Sequence, residues 1–102
     1  MKRIFIIGSL SQVNELKEIA DVLRKDFDVT YVHPRPNDTI DVIIHDAFDE
    51  IEKCNHVVAL RKPDKSFGRG TLYEIEFAKR IHKPITFVNS QNTLEKPTET
   101  AI

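Results

Sequence analysis

Four short apolar runs, each closed by a turn signal and parted from the next by a stretch of helical period, leave this chain few ways to fold. The first, Arg3–Ile7, is apolar after its first residue, as expected of a strand buried on both faces. Residues 28–32 (Asp-Val-Thr-Tyr-Val) are β-branched and aromatic, and His33-Pro-Arg-Pro36 stops them. His56–Leu60 and residues 84–88 supply the third and fourth runs. Between the first two, Val13, Leu16, Ala20 and Leu23 mark one face of a helix over 13–25 that Ser11 is placed to cap. Ahead of the third, Ile40, Ile43, Ile44, Ala47, Phe48 and Ile51 form a wide apolar stripe, with Thr39 or Asp38 as cap. Asp46, Asp49, Glu50 and Glu52 fall on its outer side or margin. The order β-α-β-α-β-α-β predicts a parallel sheet of about four strands with helices on both faces.

In a chain of 102 residues that architecture fills the molecule, so a single α/β domain over residues 1–89 and a polar tail over 90–102 are expected. Fifteen basic against sixteen acidic residues, net −1, supply no general attraction to a nucleic acid polymer or an anionic membrane. A ligand must be held by a local site. The lone Cys54 gives no intrachain disulfide, and no apolar run has the length of a spanning helix, so a reducing, cytoplasmic setting is the expectation. Cys54 reads as a small buried hydrophobe. No His and Cys spacing matches a metal site, and no cofactor is called for.

The stretch over residues 67–84 carries the chemistry. Gly68 and Gly70 lead into a helix, so backbone donors and the positive end of the helix dipole meet at one place. At about 100° per residue Glu74 falls among Phe77, Ala78 and Ile81 on the apolar side, while Glu76, Lys79 and Arg80 lie opposite. Two reasons can put an acid there. Thr71-x-x-Glu74 fits a capping box, and a carboxylate at the C-terminal edge of an open α/β sheet sits where such folds bind ligands. The turn Gly8-Ser9 after the first strand, and His33 and Arg35 after the second, belong to the same edge. It lacks the full dinucleotide fingerprint and the phosphate-loop lysine.

Ile4-Phe-Ile-Ile-Gly-Ser9, Ile51-x-x-Cys-Asn-His-Val-Val-Ala59 and Gly70-Thr-Leu-Tyr-Glu-Ile-x-Phe-Ala78 running through Lys83-Pro-Ile85 together resemble the nucleoside 2-deoxyribosyltransferase family, which includes the deoxynucleoside 5′-monophosphate N-glycosidases. The resemblance spans roughly residues 3–89. It implies a flavodoxin-like fold, a nucleophilic glutamate at Glu74, and a sugar or its phosphate bordered by Gly8, Ser9, Gly68, Arg69, Gly70 and Thr71; the position of His33 at the same sheet edge makes it a further candidate contact to the substrate. Three positions depart from the family pattern. Ala47 stands where the family has an aspartate, with Asp46 one residue away; Gly68 replaces an aspartate of the transferase branch, which favours nucleotide hydrolysis; Glu76 replaces a glycine.

The implied reaction is a double displacement at the anomeric carbon of a small-molecule nucleoside or nucleotide. The helix dipole is expected to keep Glu74 ionised. Asp46, Tyr73 or His33 is the expected proton donor to the base, and Ser9 and Arg69 are the expected phosphate ligands. The alternative is a nucleotide-binding or regulatory module on the same fold that has lost turnover. A shallow site in so short a chain, and a stripe over 40–51 wider than one sheet needs, also predict a homodimer or higher even-numbered oligomer. Asn89 and the tail would reach into a neighbour's site. Light scattering at micromolar concentration reads the assembly directly; a monomer with full activity overturns it.

Overall fold

The computed structural model describes residues 1–31 and 39–90. His33, Arg35, Asp38 and the residues beyond 90 lie outside the described residues. The elements follow the order β1 (Arg3–Ile7), a 3-10 turn (Leu10–Gln12), α1 (Val13–Leu23), β2 (Asp28–Tyr31), α2 (Ile40–Lys53), β3 (His56–Leu60), α3 (Arg69–Arg80) and β4 (Ile85–Val88). All strand pairs are parallel, in the order β2-β1-β3-β4. This is the flavodoxin-like arrangement. No described helix is long and apolar enough to cross a membrane.

Side chains alternate across the sheet and so build two cores. Phe5, Ile7, Val57 and Ala59 face α2 and α3, where they meet Ala47, Ile51, Ile75 and Ala78. Ile4, Ile6, Val58 and Leu60 face α1, where they meet Leu16 and Ala20. Burying a side chain such as Phe5 or Ile6 completely contributes on the order of 1.5–3 kcal/mol, so both strands of the central pair are fixed in register by their own two faces. Asn55 adds a polar tie at the N-terminal edge, accepting from the Arg3 N–H at 2.8 Å while its own N–H donates to the Arg3 carbonyl at 2.8 Å. The wide stripe of α2 serves more than the sheet, because Phe48 stacks on Phe77 of α3 with ring centres 4.3 Å apart.

The N-terminal region departs from the sequence reading. A 3-10 turn precedes α1, so Ser11 does not cap the helix; Ser9 accepts from the Ser11 N–H instead, and the residue before α1 is Gln12. Helical phase counted from Gln12 brings Gln12, Glu15 and Leu16 to the sheet and leaves Val13 at 36 % exposure. Glu15, expected on the charged side, is buried and accepts from Ser90 Oγ at 2.8 Å. For α2 the Thr39 cap forms, its hydroxyl accepting from the Val42 N–H at 3.3 Å.

Candidate functional site

In an open parallel sheet a crevice forms where neighbouring strands send their connections to opposite faces, and here that point lies between β1 and β3. The turn after β1 and the start of α3 stand on either side of it. Gly8, Ser9 and Leu10 from the turn, Ile43 and Ile44 from α2, and Gly68, Arg69, Gly70, Thr71 and Glu74 from α3 line a cleft of about 300 Å³.

Glu74 is the buried carboxylate of this cleft, 7 % exposed and without a hydrogen bond or ion pair among the described residues. Its burial pushes the carboxyl up from its ordinary 4.5 to about 7. Two expectations are corrected here. The N-cap of α3 is Gly68, with no side-chain cap bond, so Thr71 already lies inside the first turn and no capping box forms with Glu74. Since Arg69 begins the helix, Glu74 is more than a turn into it, beyond the reach of the unpaired donors. Burial therefore outweighs the dipole, and the acid is held toward its neutral form.

Glycine is used differently on the two sides. A Cβ on Gly8 would come within 2.9 Å of Leu16 Cδ2, so any side chain there would push on the buried Leu16 that packs α1 against the β1 turn. A Cβ on Gly70 would meet nothing within 4 Å among the described residues. Because Gly70 sits inside α3, Gly70→Ala is expected to stabilise the free protein by about 0.5–1 kcal/mol. The same methyl group stands at the cleft, so ligand affinity is expected to fall. Thermal melts with and without ligand test the pair, and a variant that is both more stable and equally tight removes Gly70 from the site.

Of the remaining residues singled out, Arg69 is exposed at the cleft and Thr71 is buried in it. The Ser9 hydroxyl is 2.9 Å from that of Ser11. Asp46 is exposed on α2 and does not line the cleft, nor does Tyr73, which is 54 % exposed on α3. Asn89 accepts from Arg61 Nη1 at 3.2 Å, beyond β4. Ala47 is fully buried in the core beneath α2 and does not line the cleft, so α2 presents no acid to the site from that position. Ile43 and Ile44 were not anticipated as cleft residues, although the excess width of the α2 stripe was their signal.

Cys54 lies in the core, where burial pushes its thiol up. Among the described residues no three His, Cys, Asp or Glu side chains are grouped to hold a metal. A larger apolar groove of about 540 Å³ runs between α1 and the sheet, lined by Ile4, Ile19, Val22, Phe27, Val58 and Val88 among others. Size favours that groove; chemistry favours the cleft, where a buried acid without a partner among the described residues meets two chain turns at the strand ends.

Solved structures carry the same architecture. A 2-desoxiribosyltransferase from Leishmania mexicana aligns over 100% of this chain and 79% of its own, with a TM-score of 0.67 and 18% identity. A CMP N-glycosidase from Clostridium botulinum aligns over 91% of this chain and 76% of its own, with a TM-score of 0.60 and 23% identity. The fold is shared. No protein-family model and no curated protein sequence matches the chain. At such identities the likeness extends to the fold and no further.

Proposed function

We propose that this chain cleaves or transfers the N-glycosidic bond of a deoxynucleoside or, preferentially, its 5′-monophosphate, with Glu74 as nucleophile. The observation that carries the reading is Glu74 itself: a buried carboxylate without a partner among the described residues, in a cleft at the switch point of a fold shared with a 2-desoxiribosyltransferase and a CMP N-glycosidase. Family membership, suggested by the three sequence motifs, is part of the same proposal.

In this reading the ionised carboxylate attacks the anomeric carbon as the bond to the base breaks, through an oxocarbenium-like transition state. The electron pair leaves with the base nitrogen. Water, or a second base, then displaces Glu74 from the glycosyl ester. Ile43 and Ile44 offer an apolar wall to the sugar or the base and exclude water from the ester. Protonation of the departing base needs a further donor; Asp46 and Tyr73 do not line the cleft, and His33 lies outside the described residues. A second copy of the chain closes the open side of so small a domain.

Phosphate would lie against Ser9, Arg69 and the free N–H groups that open α3. Monophosphates are therefore expected to be turned over faster than the free nucleosides. Ser9→Ala should lower kcat/KM for the phosphorylated substrate about tenfold and leave the nucleoside nearly unchanged. Incubation with a panel of deoxynucleosides and their monophosphates, followed by detection of free base, tests the whole reading; equal turnover of both classes defeats the phosphate preference. One observation favours the second reading, a nucleotide-binding module without turnover: the packed Ala47 leaves Glu74 without a companion acid from α2. Binding by calorimetry with no release of base from any substrate would select it.

A further inference from the structure

The two sides of the cleft come from distant parts of the chain, yet both are tied to one residue just beyond β3. The Arg61 carbonyl accepts from Gln12 Nε2 at 3.0 Å, and the Gln12 N–H donates to the Ser9 carbonyl at 2.9 Å, which closes the turn after β1. On the other side the Arg61 guanidinium carbon lies 5.5 Å from the centre of the Phe67 ring and 5.1 Å from that of Phe87. Phe67 is the residue before Gly68, the N-cap of α3. Nη1 of Arg61 donates to Asn89 Oδ1 at 3.2 Å, and the Arg61 N–H donates to the Val88 carbonyl at 2.8 Å, so the residue is itself held on β4.

The segment between Arg61 and Phe67 would otherwise be a free loop. It is instead closed on itself, with the Lys62 N–H on the Ser66 carbonyl and the Lys65 N–H on the Lys62 carbonyl, each at 2.8 Å. Such a turn hands any displacement of Phe67 directly to the start of α3. Gln12 is 7 % exposed; its Nε2 is spent on the Arg61 carbonyl, and its Oε1 has no hydrogen-bond partner among the described residues.

We propose that Arg61 is the positioning residue of the cleft, setting the separation of the Gly8-Ser9 turn from the start of α3 through Gln12 on one side and Phe67 on the other. This rests on the glycosidase reading only for its kinetic consequence. The planar guanidinium suits contact with two rings and a hydrogen bond at once, and an ammonium reproduces the charge without the plane. Because the turns grip the sugar and phosphate while Glu74 stands deeper in α3, their misplacement weakens binding of substrate and transition state alike. It acts on KM.

The test uses the full chain with Arg61→Leu, Arg61→Lys and Gln12→Leu, followed by amide hydrogen exchange and base release from deoxynucleoside monophosphates. In Arg61→Leu the amides of Lys62 and Leu72, which donate to Ser66 and Gly68, should exchange at least about tenfold faster, while those of Asn55 and Val57 at the opposite edge keep their rates. KM should rise about tenfold, because the two turns that grip the substrate no longer hold their separation, with kcat within about threefold. Arg61→Lys should fall between wild type and Arg61→Leu in both measures. Unchanged exchange at Lys62 and Leu72, or a fall in kcat at constant KM, overturns the proposal. Should Arg61→Leu fail to fold, Arg61→Lys decides: faster exchange at Lys62 and Leu72 supports the proposal and unchanged exchange overturns it, while Gln12→Leu reports the backbone-carbonyl side through exchange of the residue-12 amide. If the wild type releases no base from any substrate, the glycosidase reading fails, and the exchange rates alone decide the role of Arg61.

Discussion

Glu74→Gln is expected to lower base release by at least about 10³-fold while leaving the protein folded and, above neutral pH, no less stable than wild type. The substitution keeps the shape of the side chain and removes its capacity to form an ester with the anomeric carbon. Nothing among the described residues loses a hydrogen bond, because the carboxylate makes none. A structural acid would behave in the opposite way: truncation of a cap costs about 0.5–2 kcal/mol, and activity then follows the amount of folded protein. With Gly68 as N-cap and Thr71 inside the helix, the cap has no geometry to act through. Base-release rates and urea melts on the same preparation separate the two, and turnover retained in proportion to folded protein would remove Glu74 from the mechanism.

The sheet was legible because its strands carry their own evidence. Ile4, Phe5, Ile6 and Ile7 have no polar position among them, which only a strand covered on both faces tolerates, and both faces are covered. The meeting of Gly8, Ser9, Gly68, Arg69, Gly70, Thr71 and Glu74 around one cleft was legible for a related reason, since loops that follow parallel strands all emerge at one edge. The 3-10 turn was not. Three residues wound more tightly advance the phase of everything after them, and that advance buries Gln12 and Glu15 while exposing Val13. The raised carboxyl of Glu74 was hidden by a similar shift: a capping box at Thr71 put the acid in the first turn, where the dipole is strong, whereas the helix starts at Arg69 and burial dominates. The role of Arg61 had no sequence signal, because the rings of Phe67 and Phe87 come to it from separate elements.

Stability and activity are expected to move in opposite directions with pH, and to turn at the same value. The carboxyl of Glu74 ionises near its ordinary 4.5 in the unfolded chain and near 7 in the folded one, where burial disfavours the charge. Below about 4.5 both states hold the proton and the group adds nothing to the balance. Between the two values the folded protein binds the proton and the unfolded chain does not, so stability falls as pH rises, and above about 7 the loss is complete. The shift corresponds to at most about 3 kcal/mol, less whatever hydration the open cleft returns to the charge. Other titrating groups contribute equally to wild type and to Glu74→Gln, so the difference between their urea melts at pH 5 and pH 8 isolates this one. Activity runs the other way, because only the carboxylate attacks: kcat/KM should rise about tenfold per pH unit below 7 and level off above it. Parallel melts and rate profiles from pH 5 to 8.5 check both curves. A rate profile with its midpoint near 4.5, or wild type and Glu74→Gln losing stability equally between pH 5 and 8, would show that the acid is hydrated and ordinary.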